Sequence, residues 1–264
     1  VAHAARHERP LARLESLVVA NCAGVSGQGL KYAVMALTGR GLSSSKYVNN
    51  GPVQPAEVEL AARRLASLAL HRCASVPQLQ LAGCGTLREL SLVRCGILAS
   101  LALSGAPQLV KLDACQNPML REVACDSTLL TSLSLSGCRS LSSLSVRSEQ
   151  LSHANLYGCL ALGETHVERL LAPAHTALTS LCLDGCNSVG RLTLRAPALE
   201  TAVLKGCRHI QELRLVSCSS LRALDLRNCA SLRPVLTDGT CDTRRVKVLG
   251  KIVWQPAPVT WAQT

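Results

Sequence analysis

The sequence predicts an α/β solenoid, a chain wound so that each coil lays a short strand against the strand of the coil before it. Three observations predict it. Between Leu178 and Cys229 one pattern, L-x-x-L-x-L-x-x-C, is restated about every 11 residues, as LTSLCLDGC, NSVGRLTLRA, PALETAVLKGC, RHIQELRLVSC and SSLRALDLRNC. Hydrophobic residues make up 48% of the 264 and aromatics only 2%, with no Phe. Such an interior of Leu, Val and Ala suits a narrow core extending along one axis, where each unit contacts only its neighbours. Finally, a second apolar series runs between the main strands, so the full repeat is 21–22 residues.

The elements follow in order. Residues 1–13 are a lead-in with no apolar run, and the first main strand begins at Leu14. The chain starts on Val1 without an initiator Met and shows no cap before Leu14, so an upstream segment is expected to cover the first coil. After Cys22, AGVSGQGLKYAVMALTG places Leu30, Ala33, Val34 and Leu37 at helical spacing. Residues 39–54, carrying Gly, Ser, Asn and Pro, read as an inserted loop. A helix over Pro55–Arg64 should follow, with Pro55 at the tolerated first position. The main series then continues from Leu65, Leu87, Leu109, Leu130, Leu151, Leu178, Leu199 and Leu221. The second series runs through Val76, Leu98, Leu120, Leu141, Val189, Ile210 and Leu232. Glu164–Ala172 reads as another short helix that lengthens its turn to 27 residues. With two or three short helices among mostly strand–strand turns, both walls rise about 4.8 Å per coil and the stack stays weakly curved. The pattern fails after Leu232, so the solenoid spans 14–232. Residues 233–264 form a C-terminal cap and tail, with Val246–Trp254 as a covering strand.

Fourteen cysteines resemble a disulfide scaffold until they are placed. Eight of them (Cys22, Cys73, Cys95, Cys138, Cys159, Cys186, Cys207 and Cys229) occupy the ninth position of the repeat, and Asn117 holds it in the remaining main coil. Parallel side chains in such a ladder have poor disulfide geometry. They read as small buried hydrophobes with a weak donor, and place the protein in a reducing intracellular compartment, cytoplasm or nucleus. No run approaches the roughly 20 apolar residues of a membrane span, and no secretory signal opens the chain. The charge of +11 comes from 28 Lys and Arg against 17 Asp and Glu. These basic residues are dispersed along the sequence and aromatics are scarce, which argues against a base-stacking nucleic-acid surface.

Little else in the sequence carries chemistry. Gly24–Gly29 (GVSGQG) opens a helix but lacks Walker spacing and a dinucleotide βαβ unit, and reads as a plain turn. Cys182 and Cys186 point to opposite faces of the coil and cannot share an ion. Outward Cys182 lies one coil from His153, yet no orienting partner or oxyanion donor accompanies the pair. The reading is therefore a non-catalytic protein with no cofactor and no metal. The outward ribbon of the main strands is the better candidate site: His71, Glu89, Lys111, Asp113, His153, Asn155, Tyr157, Asp184, Lys205 and Arg227. Mixed polar and aromatic residues on a rigid repeat scaffold are suited to binding a protein. On the opposite wall Arg147, Arg191, Arg195 and Arg214 read as a basic stripe.

With its coils aligned, the chain resembles the cysteine-containing leucine-rich repeats of F-box/LRR proteins, the substrate receptors of SCF ubiquitin ligases. CAGVSGQGLKYAVMAL (Cys22–Leu37) looks like that family's helical leg, and LTSLCLDGC with LRALDLRNC is similar to its L-x-x-L-x-L legs. The resemblance implies a face that selects a target for ubiquitylation and a Skp-type adaptor held by an upstream F-box. No F-box occurs in these residues. The alternative is a structural subunit of a large assembly, such as a ciliary axoneme or an organellar ribonucleoprotein.

Overall fold

The structure, a computed structural model, describes residues 65–73, 76–81, 83–171 and 177–256, together with the backbone of 16–20 and 58–60. Three parallel sheets form its walls. The first is ten-stranded: β1 (Ser16–Ala20), β3 (Ser67–His71), β5 (Glu89–Ser91), β7 (Lys111–Asp113), β9 (Ser132–Ser134), β11 (His153–Asn155), β12 (Ser180–Cys182), β14 (Thr201–Val203), β16 (Ala223–Asp225) and β18 (Lys247–Leu249). The second wall is divided. Its first part holds β2 (Val58–Leu60), β4 (Gln78–Leu81), β6 (Ser100–Leu103), β8 (Glu122–Asp126) and β10 (Ser143–Arg147). Its second part holds β13 (Arg191–Arg195), β15 (Glu212–Val216), β17 (Val235–Thr237) and β19 (Trp254–Pro256).

The middle leucine of the repeat fixes the register. Leu17, Leu68, Leu90, Leu112, Leu133, Ala154, Leu181, Ala202, Leu224 and Val248 are successive partners through the first sheet. From Leu68 to Leu224 every one is buried, as are the return leucines and valines of the second series from Val76 to Ile210. One continuous apolar interior results, the outcome that the period of the sequence predicts.

The second wall breaks where one coil returns as a helix. α1 (Glu164–Leu170) packs between β10 and β13 and buries Val167 and Leu170. A helix is about 10 Å wide and cannot continue a ladder of strands about 4.8 Å apart. Its side chains serve the two exposed strand edges instead. Thr193 N donates to Glu168 Oε1 at 2.9 Å and Gly190 N to Glu164 Oε2 at 3.3 Å, while His166 Nδ1 lies 3.3 Å from Leu144 N.

Two expectations are corrected. Val58–Leu60, inside the expected helix over Pro55–Arg64, is strand β2, paired with β4 from Val58↔Leu79 to Leu60↔Leu81. A helix of about ten residues is marginal by itself, and the open edge of β4 supplies a ladder that local propensity does not foresee. The coiling also continues past Leu232. β18 pairs with β16 and β19 with β17, so residues to Pro256 build further strands of both walls. Nine positions separate Leu215 from Leu224, but eleven separate their partners Thr237 and Val248. That longer turn hides the period, and the leucines give way to Val235, Cys241, Val246 and Val248, of which Val248 is only partly buried. Trp254 packs half-buried against the core end. The lead-in, the helix expected after Cys22, the loop 39–54 and the tail beyond 256 lie outside the described residues.

Candidate functional site

The ninth position of each coil holds the turn together. Cys95 Sγ donates to Leu70 O at 3.1 Å, Cys138 to Ala114 O at 3.1 Å, Cys159 to Leu135 O at 3.2 Å, Cys186 to Leu156 O at 3.1 Å, Cys207 to Leu183 O and Cys229 to Leu204 O at 3.0 Å. Each acceptor is the third apolar position of the preceding coil, so the ladder links neighbours by thiol hydrogen bonds. Asn117 makes the same link, donating to Leu92 O at 2.7 Å and also to Ala114 O at 2.8 Å. All thirteen described cysteines are free thiols. Burial pushes Cys95 up to about 11, and Cys138 and Cys186 to about 12. These thiols are structural donors, held far from the thiolate form that reacts. Cys22 lies outside the described residues. A second set of links, unforeseen in the sequence, runs along the other turn: Ser127 Oγ donates to Leu109 O at 2.9 Å and Ser148 Oγ to Leu130 O at 2.7 Å, while Cys218 Sγ donates to Leu194 O of β13 at 3.2 Å.

These observations decide the architecture: matched leucines stack in register, and a buried Cys or Asn ties each turn to the coil before it. The chain is a leucine-rich repeat solenoid. Among solved structures it is similar to the leucine-rich repeat domain of the type III effector XopL, at 19% identity and a TM-score of 0.38, over 74% of this chain and 76% of that one. No family model matches the chain, and no curated protein matches it.

On the first sheet of this leucine-rich repeat, the outward side chains fall into three rows. The first runs Ser67, Glu89, Lys111, Ser132, His153, Ser180, Thr201 and Ala223. The second runs Ala69, Ser91, Asp113, Ser134, Asn155, Cys182, Val203 and Asp225. The third lies just beyond the strands. There the carbonyls of Val93, Cys115, Ser136, Tyr157, Asp184, Lys205 and Arg227 each accept an N–H from the preceding coil.

Several candidate residues of the ribbon have partners. Lys111 Nζ lies 3.3 Å from Glu89 Oε1, and Lys205 Nζ 3.9 Å from Asp184 Oδ2. Arg227 grips Asp225 through Nε and Nη2, at 3.0 and 2.7 Å. That hold keeps the Asp225 carboxyl below the ordinary aspartate range. His71 Nε2 is 2.8 Å from Ser91 Oγ, and His153 Nδ1 is 2.8 Å from Ser152 Oγ. In three coils the second row closes the turn onto the third: Cys115 N donates to Asp113 Oδ1, Tyr157 N to Asn155 Oδ1 and Arg227 N to Asp225 Oδ1, each at 3.1 Å. Asp113 and Asn155 thus serve the local backbone, as short Asx side chains do in turns.

The ribbon cluster divides in two. Lys111 and Asp113 stand two rungs, roughly 10 Å, from His153 and Asn155, with the serines of β9 between them. Tyr157, half exposed, rises beside Asp184 at one border of this shallow serine trough. Cys115 Sγ reaches across to Ser134 Oγ at 2.9 Å and accepts from Ser136 Oγ at 3.2 Å. Cys182 and His153, which the sequence sets aside as a catalytic pair, are not cross-strand partners: Cys182 is the partner of Asn155 and His153 of Ser180. Burial raises the Cys182 thiol as well.

The basic stripe is dispersed too. Arg147 belongs to the first part of the second wall, beside Asp126, whereas Arg191 and Arg195 sit on different rows of β13 beyond α1. Arg191 is the cross-strand partner of Glu212, which also pairs with Arg214. Among the described residues no three His, Cys, Asp or Glu side chains converge as metal ligands, and no helix is long and apolar enough to cross a membrane.

Proposed function

We propose that the protein is a non-catalytic scaffold whose ribbon, centred on Tyr157, docks a protein partner. The observation that carries this reading is the shape and chemistry of the middle coils. Small side chains (Ser132, Ser134, Ser136, Ser180) form a shallow floor, and Tyr157 stands half exposed beside Asn155 and Asp184, with His153 farther along the same coil. An exposed aromatic on a floor of small side chains is an anchor of the kind that dominates protein interfaces. His71, Glu89, Lys111, Asp113, Lys205 and Arg227 extend the same ribbon as a polar rim.

The test places a photo-crosslinking phenylalanine analogue at position 157 and, as control, at position 145 on the second wall of the full chain. A partner identified from the first adduct and purified should bind at least tenfold more weakly to Tyr157→Ala and equally well to Ser145→Ala. Crosslinking that is equal at both sites, or an affinity unmoved by Tyr157→Ala, overturns the ribbon reading. The narrower form is a substrate-recognition region of F-box/LRR type, which requires the longer protein to co-purify with a Skp-type adaptor. A structural subunit is the alternative, favoured by the exposed apolar side chains Ile97, Met119, Leu160 and Val253. It requires a partner that stays bound through size-exclusion at high salt.

A further inference from the structure

We infer that the edge where the first sheet turns into the second is a docking surface for an acidic polypeptide segment that also carries apolar side chains. In each coil from β3 to β16 this edge is one seven-residue passage, running from the third ribbon row through the return leucine or its equivalent: 71–77, of which 74 and 75 lie outside the described residues, then 93–99, 115–121, 136–142, 157–163, 184–190, 205–211 and 227–233. Together these passages hold eight Arg or Lys and a single carboxylate, Asp184. In sequence those cations are spread from Arg72 to Arg233; the winding sets them along one edge in two groups, Arg72, Arg94, Arg121 and Arg139 in four consecutive coils and Lys205, Arg208, Arg227 and Arg233 in the last two, with none in the two coils between. Neither neighbouring surface shares this sign. The ribbon sets Glu89 beside Lys111 and also carries Asp113 and Asp225, and the second wall sets Asp126 beside Arg147 and Glu212 beside Arg214.

Five of the eight edge cations remain available, whereas Lys205 and Arg227 are paired with Asp184 and Asp225. Arg94, Arg121, Arg139, Arg208 and Arg233 are exposed, and among the described residues none of them forms an ion pair. Apolar side chains lie among them. Ile97, Met119 and Leu160 are 44%, 54% and 42% exposed, and Tyr157 stands at the border with the ribbon. Guanidinium groups alternating with aliphatic side chains complement a polypeptide bearing carboxylates and leucine-like residues. Nucleic acid is disfavoured because its bases need aromatic platforms, and Tyr157 is the single aromatic of these passages.

Backbone conformation points the same way. The residue after the third row adopts a left-handed φ in every coil, and in four consecutive coils it is glycine: Gly137, Gly158, Gly185 and Gly206. The coils before them instead carry Arg72, Arg94 and Gln116, at φ of 55–60°. A side chain there is strained where glycine is not, so long polar groups are kept at this position against the preference of the fold, as at functional sites.

This surface shares only its border row, Tyr157 included, with the ribbon; the five available arginines, with Ile97, Met119 and Leu160, lie beyond that row, so they can be occupied with the rest of the ribbon bare. Seven spacings of about 4.8 Å give the edge a length of roughly 34 Å, matched by about ten residues of extended chain. The test therefore uses a labelled 12-residue peptide of Glu-Glu-Leu repeats, a 12-residue polyglutamate and a 20-nucleotide single-stranded RNA, titrated against the full chain by fluorescence anisotropy. The Glu-Glu-Leu peptide should bind saturably and at least tenfold more tightly than polyglutamate. Joint Arg94→Glu and Arg139→Glu substitution should weaken it at least tenfold. Joint Ile97→Ser and Met119→Ser substitution should remove its advantage over polyglutamate. Arg94→Gly should raise Tm while weakening the peptide, a combination that damage to the fold cannot produce. No saturable peptide binding, tighter binding of RNA than of peptide, or affinity unmoved in the charge-reversed variant with an unchanged circular dichroism spectrum would each overturn the inference.

Discussion

Asn117 stands where seven described coils carry Cys, and its amide donates to two carbonyls where most of the ladder thiols donate to one. The second bond has a cost, because Asn117 Oδ1 is buried without a hydrogen-bond partner. Asn117→Leu leaves Leu92 O without this donor and Ala114 O with Cys138 Sγ alone, and should destabilise the fold by roughly 1–3 kcal/mol. Asn117→Cys restores the ladder and removes the orphaned oxygen, and should fall within about 1 kcal/mol of the parent; urea denaturation of both variants measures the difference. The thiols make a second prediction. Their folded pKa values are raised by burial, to about 12 for Cys125, Cys138 and Cys186. Their contribution is therefore complete below the unfolded thiol pKa of about 8.5 and is lost as pH rises toward the folded values. Each such thiol should steepen the loss above pH ~9 by up to about 1.4 kcal/mol per pH unit. Cys138→Ser and Cys186→Ser keep a donor that does not titrate, and should flatten the alkaline limb of a stability–pH curve. A limb unchanged by both substitutions would refute the assignment.

At the scale of elements, α1 shows how a helix is accommodated inside a strand ladder. Its carboxylates accept the edge N–H groups of Thr193 and Gly190, bonds that a strand would otherwise take. Glu168→Ala leaves the half-buried Thr193 N–H without its partner and should cost about 1–3 kcal/mol. Glu168→Gln keeps an acceptor and should cost less, and amide exchange at Thr193 should report the difference directly. The helix itself was legible in ETHVERLLA, because Val167 and Leu170 follow helical spacing. Its capping of neighbouring strands was not, since Glu168 and Thr193 meet across 25 positions of sequence. β2 was misread for the related reason that its partner β4 lies beyond the window in which local propensity operates. The candidate ribbon was legible residue by residue, because alternation in a strand fixes which side chains point outward. Its division by the serines of β9, and the turn-closing work of Asp113 and Asn155, depend on the coil-to-coil register.

For the whole molecule, stability should behave as a sum over coils and their nearest neighbours. Removing residues 109–129, one complete coil, rejoins Gln108 to Leu130 in register and should leave a cooperatively folded protein with a smaller denaturant m-value. Removing residues 112–122 instead shifts all later strands onto the wrong wall and should abolish the native circular dichroism spectrum. Equal behaviour of the two deletions would contradict the stacking order. Leu133→Ala, in the central coils, should cost about 2–5 kcal/mol. The sequence by itself determined the interior, because a solenoid repeats the same nearest-neighbour contacts and its period is written in consecutive residues. Tertiary structure alone decided the outside: where the second wall breaks, how far the coiling runs past Leu232, and which cations share an edge. Those outcomes depend on groups about 22 positions apart being brought within one strand spacing, and their order along the chain carries no mark of it.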